Sequence, residues 1–381
     1  MAKANVATVL IVDDQGEGTS LAALLLTKKV ASKVVHPEEV TLADVIEADL
    51  VLVDYKLDNW EWTAKADTPV SRQPRDGLAL AAVLRRHVHD REKDSPTAFA
   101  ILTGMIEQLA APLPSEHREH VLARICNLEW VFQKAKPDEE YNVGDQVAAL
   151  AAAVRKLPKQ WPVSDADEAM RQLAEILAFD PEDPQQLEDV AACIPPVHEL
   201  SQWSHGLAII RWLLHRILPY PCFLWDSHYL AARLRVDHAW LREALVENAP
   251  LRKWLESARY KGLLSEFSGE RFWRAKIELL LWEKTAQQSF DTERTWEALA
   301  KITRQDVKGS DPPDHPIVCV NSDYQPLEKF ESIDDAVRIR PDDWPSYADQ
   351  PWTRIELALD EPRLGALVVA EDRGRLNGNS D

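Results

Sequence analysis

The feature that most narrows the fold is a regular alternation over the first 157 residues. Short apolar runs at 8–12, 32–35, 50–54, 98–102 and 130–133 are separated by stretches of helical periodicity. The helical stretches fall near 19–29, 38–47, 76–89 and 115–126, and another at 144–156 closes the unit. A strand buried on both faces reads as an unbroken apolar run, the signature of a parallel sheet covered by helices on both sides. Repeated βα units of this kind predict a doubly wound α/β fold around a five-stranded parallel sheet. A segment at 58–75, "DNWEWTAKADTPVSRQPR", interrupts the alternation and reads as an ordered flap or extended loop.

Beyond this unit the pattern changes, so the chain is expected to be multidomain. Residues 158–196, acidic and proline-bearing, read as a linker with a helix. Residues 197–307 are expected to form a mainly helical effector region, because apolar residues recur at helical spacing in "AIIRWLLHRIL" and "FWRAKIELLLWEKTA". Residues 316–372 carry strand character in "IVCV", "AVRIR", "RIELAL" and "GALVVAED" and are expected to form a small α+β module. Residues 373–381 have the composition of a disordered tail.

The net charge of −19 opposes non-specific binding to nucleic acid. Between about 200 and 310 acidic and basic residues nearly balance, so most of the excess lies in the flanks. No apolar run approaches the roughly 20 residues that cross a bilayer. The best candidate, "GLAIIRWLLHRIL", is broken by Arg211, His215 and Arg216. The first apolar run ends in two aspartates rather than a small-residue cleavage site, so a cytoplasmic protein without membrane attachment is expected. Cys126, Cys193, Cys222 and Cys319 form no CxxC pair and suggest neither a cysteine zinc site nor a disulfide framework.

Open α/β sheets place their chemistry at the carboxyl ends of the strands. The first strand delivers Asp13 and Asp14, the third Asp54, the fourth Thr103 followed by Gly104, and the fifth Lys134 or Lys136. Two like charges at the mouth of a buried strand repel each other and resist desolvation, so the aspartate pair calls for a cation. This set, with "DGLALAAVLRR" at 76–86, resembles the receiver domain of two-component response regulators over residues 1–157. The resemblance implies strand order 2-1-3-4-5 and a Mg²⁺ ion held by Asp13, Asp14, Asp54 and the backbone carbonyl of Lys56. It also implies that Asp54 is the phosphoacceptor nucleophile, that Thr103 is the switch hydroxyl with Gly104 leaving room beside it, and that a strand-5 lysine pairs with the phosphoryl group. Family spacing would place Gln133 at the lysine position, so a bulge or an early exit of the strand is assumed, with Lys134 preferred and Lys136 the alternative. The partners implied are a cognate histidine kinase or phosphotransfer protein, a second copy of the chain, and an effector partner protein.

"SHYLAARLRVDHAWLREAL" at 227–245 is similar to a helix-turn-helix, with Arg235 where glycine is frequent at the turn. Arg233, Arg235 and Arg242 would be its DNA contacts, although two ordinary core helices are the preferred reading. His205 has a faint similarity to a phosphoacceptor histidine, against which a capped or buried histidine is preferred. His117 and His120 in "EHREH" are expected on a solvated helix face. Eight of the 14 tryptophans fall between Trp203 and Trp296 and read mainly as core anchors, some of them available to a partner. With no glycine-rich phosphate loop, metalloprotease helix or nucleophile elbow, a catalytic output is unsupported. The function expected is a response regulator acting through protein–protein contact, with DNA binding as the alternative and a receiver-controlled enzyme third.

Overall fold

The computed structural model describes residues 6–60, 74, 76–89, 96–134, 142–159, 161, 166–197, 206–305, 307, 313 and 315–376. Strands β1 (Thr8–Val12), β2 (Ala31–Val35), β3 (Leu50–Asp54), β4 (Ala98–Thr103) and β5 (Trp130–Gln133) form a parallel sheet ordered β2-β1-β3-β4-β5. This order is consistent with a receiver-like topology. Alternate residues serve opposite faces, as the twofold strand period requires. Val9, Ile11, Leu50, Leu52 and Phe132 enter one core, while Leu10, Val12, Val51, Val53 and Val131 enter the other.

Helices α1 (Gly18–Thr27), α2 (Leu42–Glu47), α3 (Gly77–His89), the single turn α4 (Ile106–Leu109), α5 (Arg118–Ile125) and α6 (Val143–Lys156) cover the sheet. Leu21 and Leu25 of α1 and Val147, Leu150 and Val154 of α6 close the first face. Val45 of α2, Leu80 and Leu84 of α3 and Ala123 of α5 close the second. Local chemistry fixes several starts: Thr41 and Asp44 form a capping box on α2, and the Asn142 side chain caps α6.

The first of these cores does not end at α6. It continues through α7 (Ala166–Leu177), α8 (Pro184–Ala192) and α9 (Leu207–Trp212) to Tyr260, Phe267 and Trp273. The run "AIIRWLLHRIL" is helical but changes pitch, passing from α9 into a π-turn at Leu213–Ile217. A further core gathers α10 (Ser227–Leu234), α11 (His238–Glu247), α12 (Ala249–Leu255), α13 (Arg274–Lys284) and α14 (Thr292–Thr303). The two-residue strands β6 (Leu224–Trp225) and β7 (Phe272–Trp273) pair antiparallel between these layers.

In the C-terminal region β8 (Ala336–Arg338) pairs antiparallel with β9 (Trp352–Arg354). The strand character expected for "RIELAL" and "GALVVAED" is corrected here. The first lies mainly in helix α15 (Ile355–Asp360), while the second leaves helix α16 (Pro362–Leu367) at Leu367, makes one bridge from Val368 to Ile339, and ends in a 3-10 turn at Ala370–Asp372. Short apolar runs do not distinguish strand from helix, and Pro362, suited to a first helical turn, restarts the helix. Arg373–Leu376 forms a last helical turn, and 377–381 lie outside the described residues. No helix among the described residues is long and apolar enough to cross a membrane.

Candidate metal centre

Strands β1 and β3 are adjacent and in register, Val12 facing Val53, so both deliver their terminal acids to one edge. Asp13, Asp14 and Asp54 converge there, with candidate ligand atoms within 4.8 Å of one another. Each acid has a different set of partners. Asp13 Oδ1 accepts from the Gln15 amide at 2.8 Å and Oδ2 from the Gly18 amide at 2.5 Å. The first amide of α1, that of Gly18, thus partly compensates the Asp13 charge. Gly18 permits this approach, since a Cβ there would lie 2.7 Å from Ile11 Cγ2. Asp14 Oδ2 accepts from the amides of Asn59 at 2.5 Å and Trp60 at 3.1 Å. Asp14 Oδ1 and Asp54 Oδ1 are buried with no hydrogen-bond partner.

Two orphaned carboxylate oxygens in one cluster are costly unless a cation joins them. The all-oxygen donor set fits a hard divalent ion such as Mg²⁺, which uses one or two carboxylates and keeps several waters. Asp14 Oδ1 and Asp54 Oδ1 would hold the ion directly, and Asp13 would act largely by its charge. Asn59 and Trp60, at the start of the 58–75 insertion, are contributors that sequence reasoning missed. They act through backbone amides, which no residue type signals. Residues 61–73 and 75 of that insertion lie outside the described residues.

The lysine is placed by the end of β5. Gln133 pairs with Thr103, and the next amide, of Lys134, donates to the Thr103 carbonyl at 2.9 Å. Lys134 Nζ then stands 3.0 Å from Asp54 Oδ2 and 2.9 Å from Glu17 Oε2. Lys136 lies outside the described residues. Burial pushes the Asp54 carboxyl above its ordinary pKa, the nearby Asp13 adding to the rise while Lys134 and the Lys56 amide oppose it. Burial alone would lower the Lys134 pKa, but its bonds to Glu17 and Asp54 outweigh burial and raise it.

The remaining expected residues surround this pair. The Lys56 side chain turns to Asp58 at 2.7 Å, and its backbone bridges to Asp76 at the mouth of α3. Thr103 is 1% exposed, and its Oγ1 accepts from the Met105 amide at 3.0 Å. A Cβ at Gly104 would meet no atom within 4 Å, so that position borders open space. At Gly77 a Cβ would lie 2.8 Å from the Asp54 carbonyl carbon, which makes that glycine necessary for α3 to reach the site. A cavity of about 490 Å³ opens beside Asp54 and Lys134, with Leu21, Leu24 and Val143 in its wall.

Behind the centre, the α5–β5 side of the sheet is covered by the rest of the chain. The expectation of a solvated "EHREH" face is corrected: His117 and His120 are 2% and 1% exposed. His117 Nδ1 lies 2.8 Å from Asp343 Oδ2, and Tyr220, Tyr324 and Trp344 pack around its ring. The covering residues come from more than 100 positions downstream, where α5's own periodicity carries no information. Burial pushes His120 down to about 2, and neither of its ring nitrogens has a partner. Fully buried Glu129 receives Arg211 Nε at 2.8 Å and Nη2 at 2.6 Å. The Trp130 ring stacks on His215 of the π-turn, centroids 6.1 Å apart.

The helix-turn-helix segment is a helical hairpin, α10–α11, with Arg235 at the turn in the left-handed region (φ 56). Arg233 forms a forked pair with Glu278 at 2.6 and 2.5 Å, and Arg235, 8% exposed, donates to Thr292 Oγ1. Arg242 is exposed on α11. His205 lies outside the described residues. No protein-family model, curated protein or solved structure matches this chain.

Proposed function

We propose that residues 1–157 act as a Mg²⁺-dependent phosphoryl-accepting switch whose state is passed to residues 197–372 of the same chain. The observation that carries this reading is the pairing of Asp54, at 3.0 Å, with Lys134 beside the orphaned oxygens of Asp14 and Asp54. With Asp54 Oδ1 engaged by the ion, Oδ2, now bonded to Lys134, is the oxygen that would attack phosphorus. A bound Mg²⁺ would neutralise the acids and the incoming phosphoryl oxygens, the main requirement of phosphoryl transfer. Lys134 would exchange a carboxylate oxygen for a phosphoryl oxygen. The cavity beside the pair gives a donor room to approach, from a histidine kinase, a phosphotransfer protein or a small phosphodonor.

The output follows from position. Lys134 is joined through its amide to Thr103, and β5 leads back to Trp130 and Glu129, which touch His215 and Arg211. A phosphoryl group adds about −1.5 to −2 charge, and the residues that answer it sit on the strands that carry this contact. The effect is therefore read as a change in protein–protein contact, within the chain or with a second copy or effector. The DNA reading would fall largely on Arg242, because Arg233 and Arg235 are engaged within the fold. Hydrogen exchange with and without beryllofluoride tests the output. Protection is expected to change over 104–134 and 209–220, and a change confined to the neighbourhood of Asp54 would defeat it.

A further inference from the structure

A second cluster of ligating side chains lies far along the chain from the aspartates. His228 is in the first turn of α10, His238 opens α11, and Glu328 comes from the segment leading to Phe330. Their candidate ligand atoms lie within 4.8 Å of one another. The two imidazole rings stack with centroids 3.5 Å apart and planes at 24°. His238 is 2% exposed, and the His228 and Glu328 side chains are 21% and 68% exposed, so the cluster is anchored inside and open at one side.

The hydrogen bonding of His238 is the telling detail. Its Nε2 is 2.9 Å from Ser227 Oγ, and its Nδ1 is 3.3 Å from Glu328 Oε2. In the tautomer with Nε2–H donating to Ser227, Nδ1 keeps a lone pair facing the Glu328 carboxylate, and a cation between them would satisfy both. The 3.3 Å separation is long for a charge-assisted hydrogen bond. It matches the edge, roughly 3.3 Å, of a tetrahedron built on metal bonds of about 2.0–2.1 Å.

We infer that His228, His238 and Glu328 bind a first-row divalent transition ion, zinc by preference, with a coordination position left open to solvent. Imidazole nitrogens with a carboxylate select such an ion over Mg²⁺, which prefers oxygen donors throughout. Ser227 would orient the His238 ring through Nε2, as an outer-sphere partner does in many zinc sites. Asp226 caps α10 through the amides of His228 and Tyr229 and lies 4.0 Å from His228 Nδ1. Arg242 opposes the ion, since its charge acts on both His228 and Glu328. A bound ion would clamp the α10–α11 hairpin to the segment carrying Glu328.

The test uses the full chain in excess Mg²⁺, titrated with Zn²⁺ against a chromophoric chelator and with Co²⁺ to read ligand-field absorption in the visible. Expected is a tight site, weakened at least roughly tenfold by His228→Gln and by Glu328→Gln, whose exposed or half-buried side chains leave the fold intact. Asp14→Asn is expected to leave it unchanged, and Arg242→Ala to tighten it. Binding that survives both His228→Gln and Glu328→Gln, or is lost in Asp14→Asn, would overturn the assignment. So would the absence of cobalt absorption and zinc binding, which would leave His238 simply hydrogen-bonded between Ser227 and Glu328.

Discussion

Lys134 Nζ stands 3.0 Å from Asp54 Oδ2 and 2.9 Å from Glu17 Oε2, so a single ammonium is shared between a buried and an exposed carboxylate. Replacing Lys134 with Ala leaves Asp54 without that counter-charge. With Lys134 28% exposed, the cost is discounted from that of a fully buried pair to about 1–2 kcal/mol in the absence of divalent ions. Mg²⁺ is expected to recover part of it, as read by denaturant unfolding with and without the ion. Equal stability of wild type and Lys134→Ala in chelator would show that the contact carries no weight.

Asp54 itself opposes folding at neutral pH. Its carboxyl pKa is raised in the folded protein by burial, so the native state binds the proton more tightly than the unfolded chain. Stability attributable to this group is therefore lost as pH rises through the folded pKa. Asp54→Asn is expected to raise the unfolding temperature at pH 7 in chelator and to flatten that part of the pH profile. A lower unfolding temperature in the variant would reverse the sign argued here.

Gly77 is the position where α3 meets the Asp54 backbone. A Cβ there would lie 2.8 Å from the Asp54 carbonyl carbon and 3.0 Å from Tyr55 Cα. Gly77→Ala is expected to cost about 1–3 kcal/mol by overpacking. It should also displace the acceptor loop, reducing phosphorylation more than the stability loss alone accounts for. Labelling at the wild-type rate in folded Gly77→Ala would show that the loop tolerates the shift.

The His117–His120 contact makes an acid-sensitive joint. His120 falls from 6.5 to about 2 because burial disfavours the charged ring, with His117 adding to the effect. For a base with a depressed folded pKa, stability is full above the unfolded value and is lost as pH falls from about 6.5 toward 2. His120→Leu is expected to move acid unfolding to lower pH, measured by near-ultraviolet circular dichroism. An unchanged acid midpoint would place the sensitivity elsewhere.

Most of the sheet was legible because its residues obey local rules. Val9–Val12, Leu50–Val53 and Phe99–Leu102 are apolar without interruption, and each lies in a strand buried on both faces. The acids at the ends of β1 and β3 were legible for the same reason, since strand ends fix where side chains collect. What the pattern could not carry is contact between distant segments. His117 and His120 look solvated on α5 until Tyr220, Tyr324 and Trp344 cover them. The Asn59 and Trp60 amides on Asp14 use backbone groups that every residue type has. The runs at 355–360 and 362–367 were short enough for helix and strand periods to be indistinguishable.

The most direct measurement is the intact mass of the full chain after incubation with a small phosphodonor, with Mg²⁺ or with chelator, followed by peptide localisation. The account expects a single phosphoryl addition on Asp54, dependent on Mg²⁺, lost in Asp54→Asn and strongly reduced in Asp14→Asn. Labelling that persists in Asp54→Asn, or that proceeds equally in chelator, would contradict it.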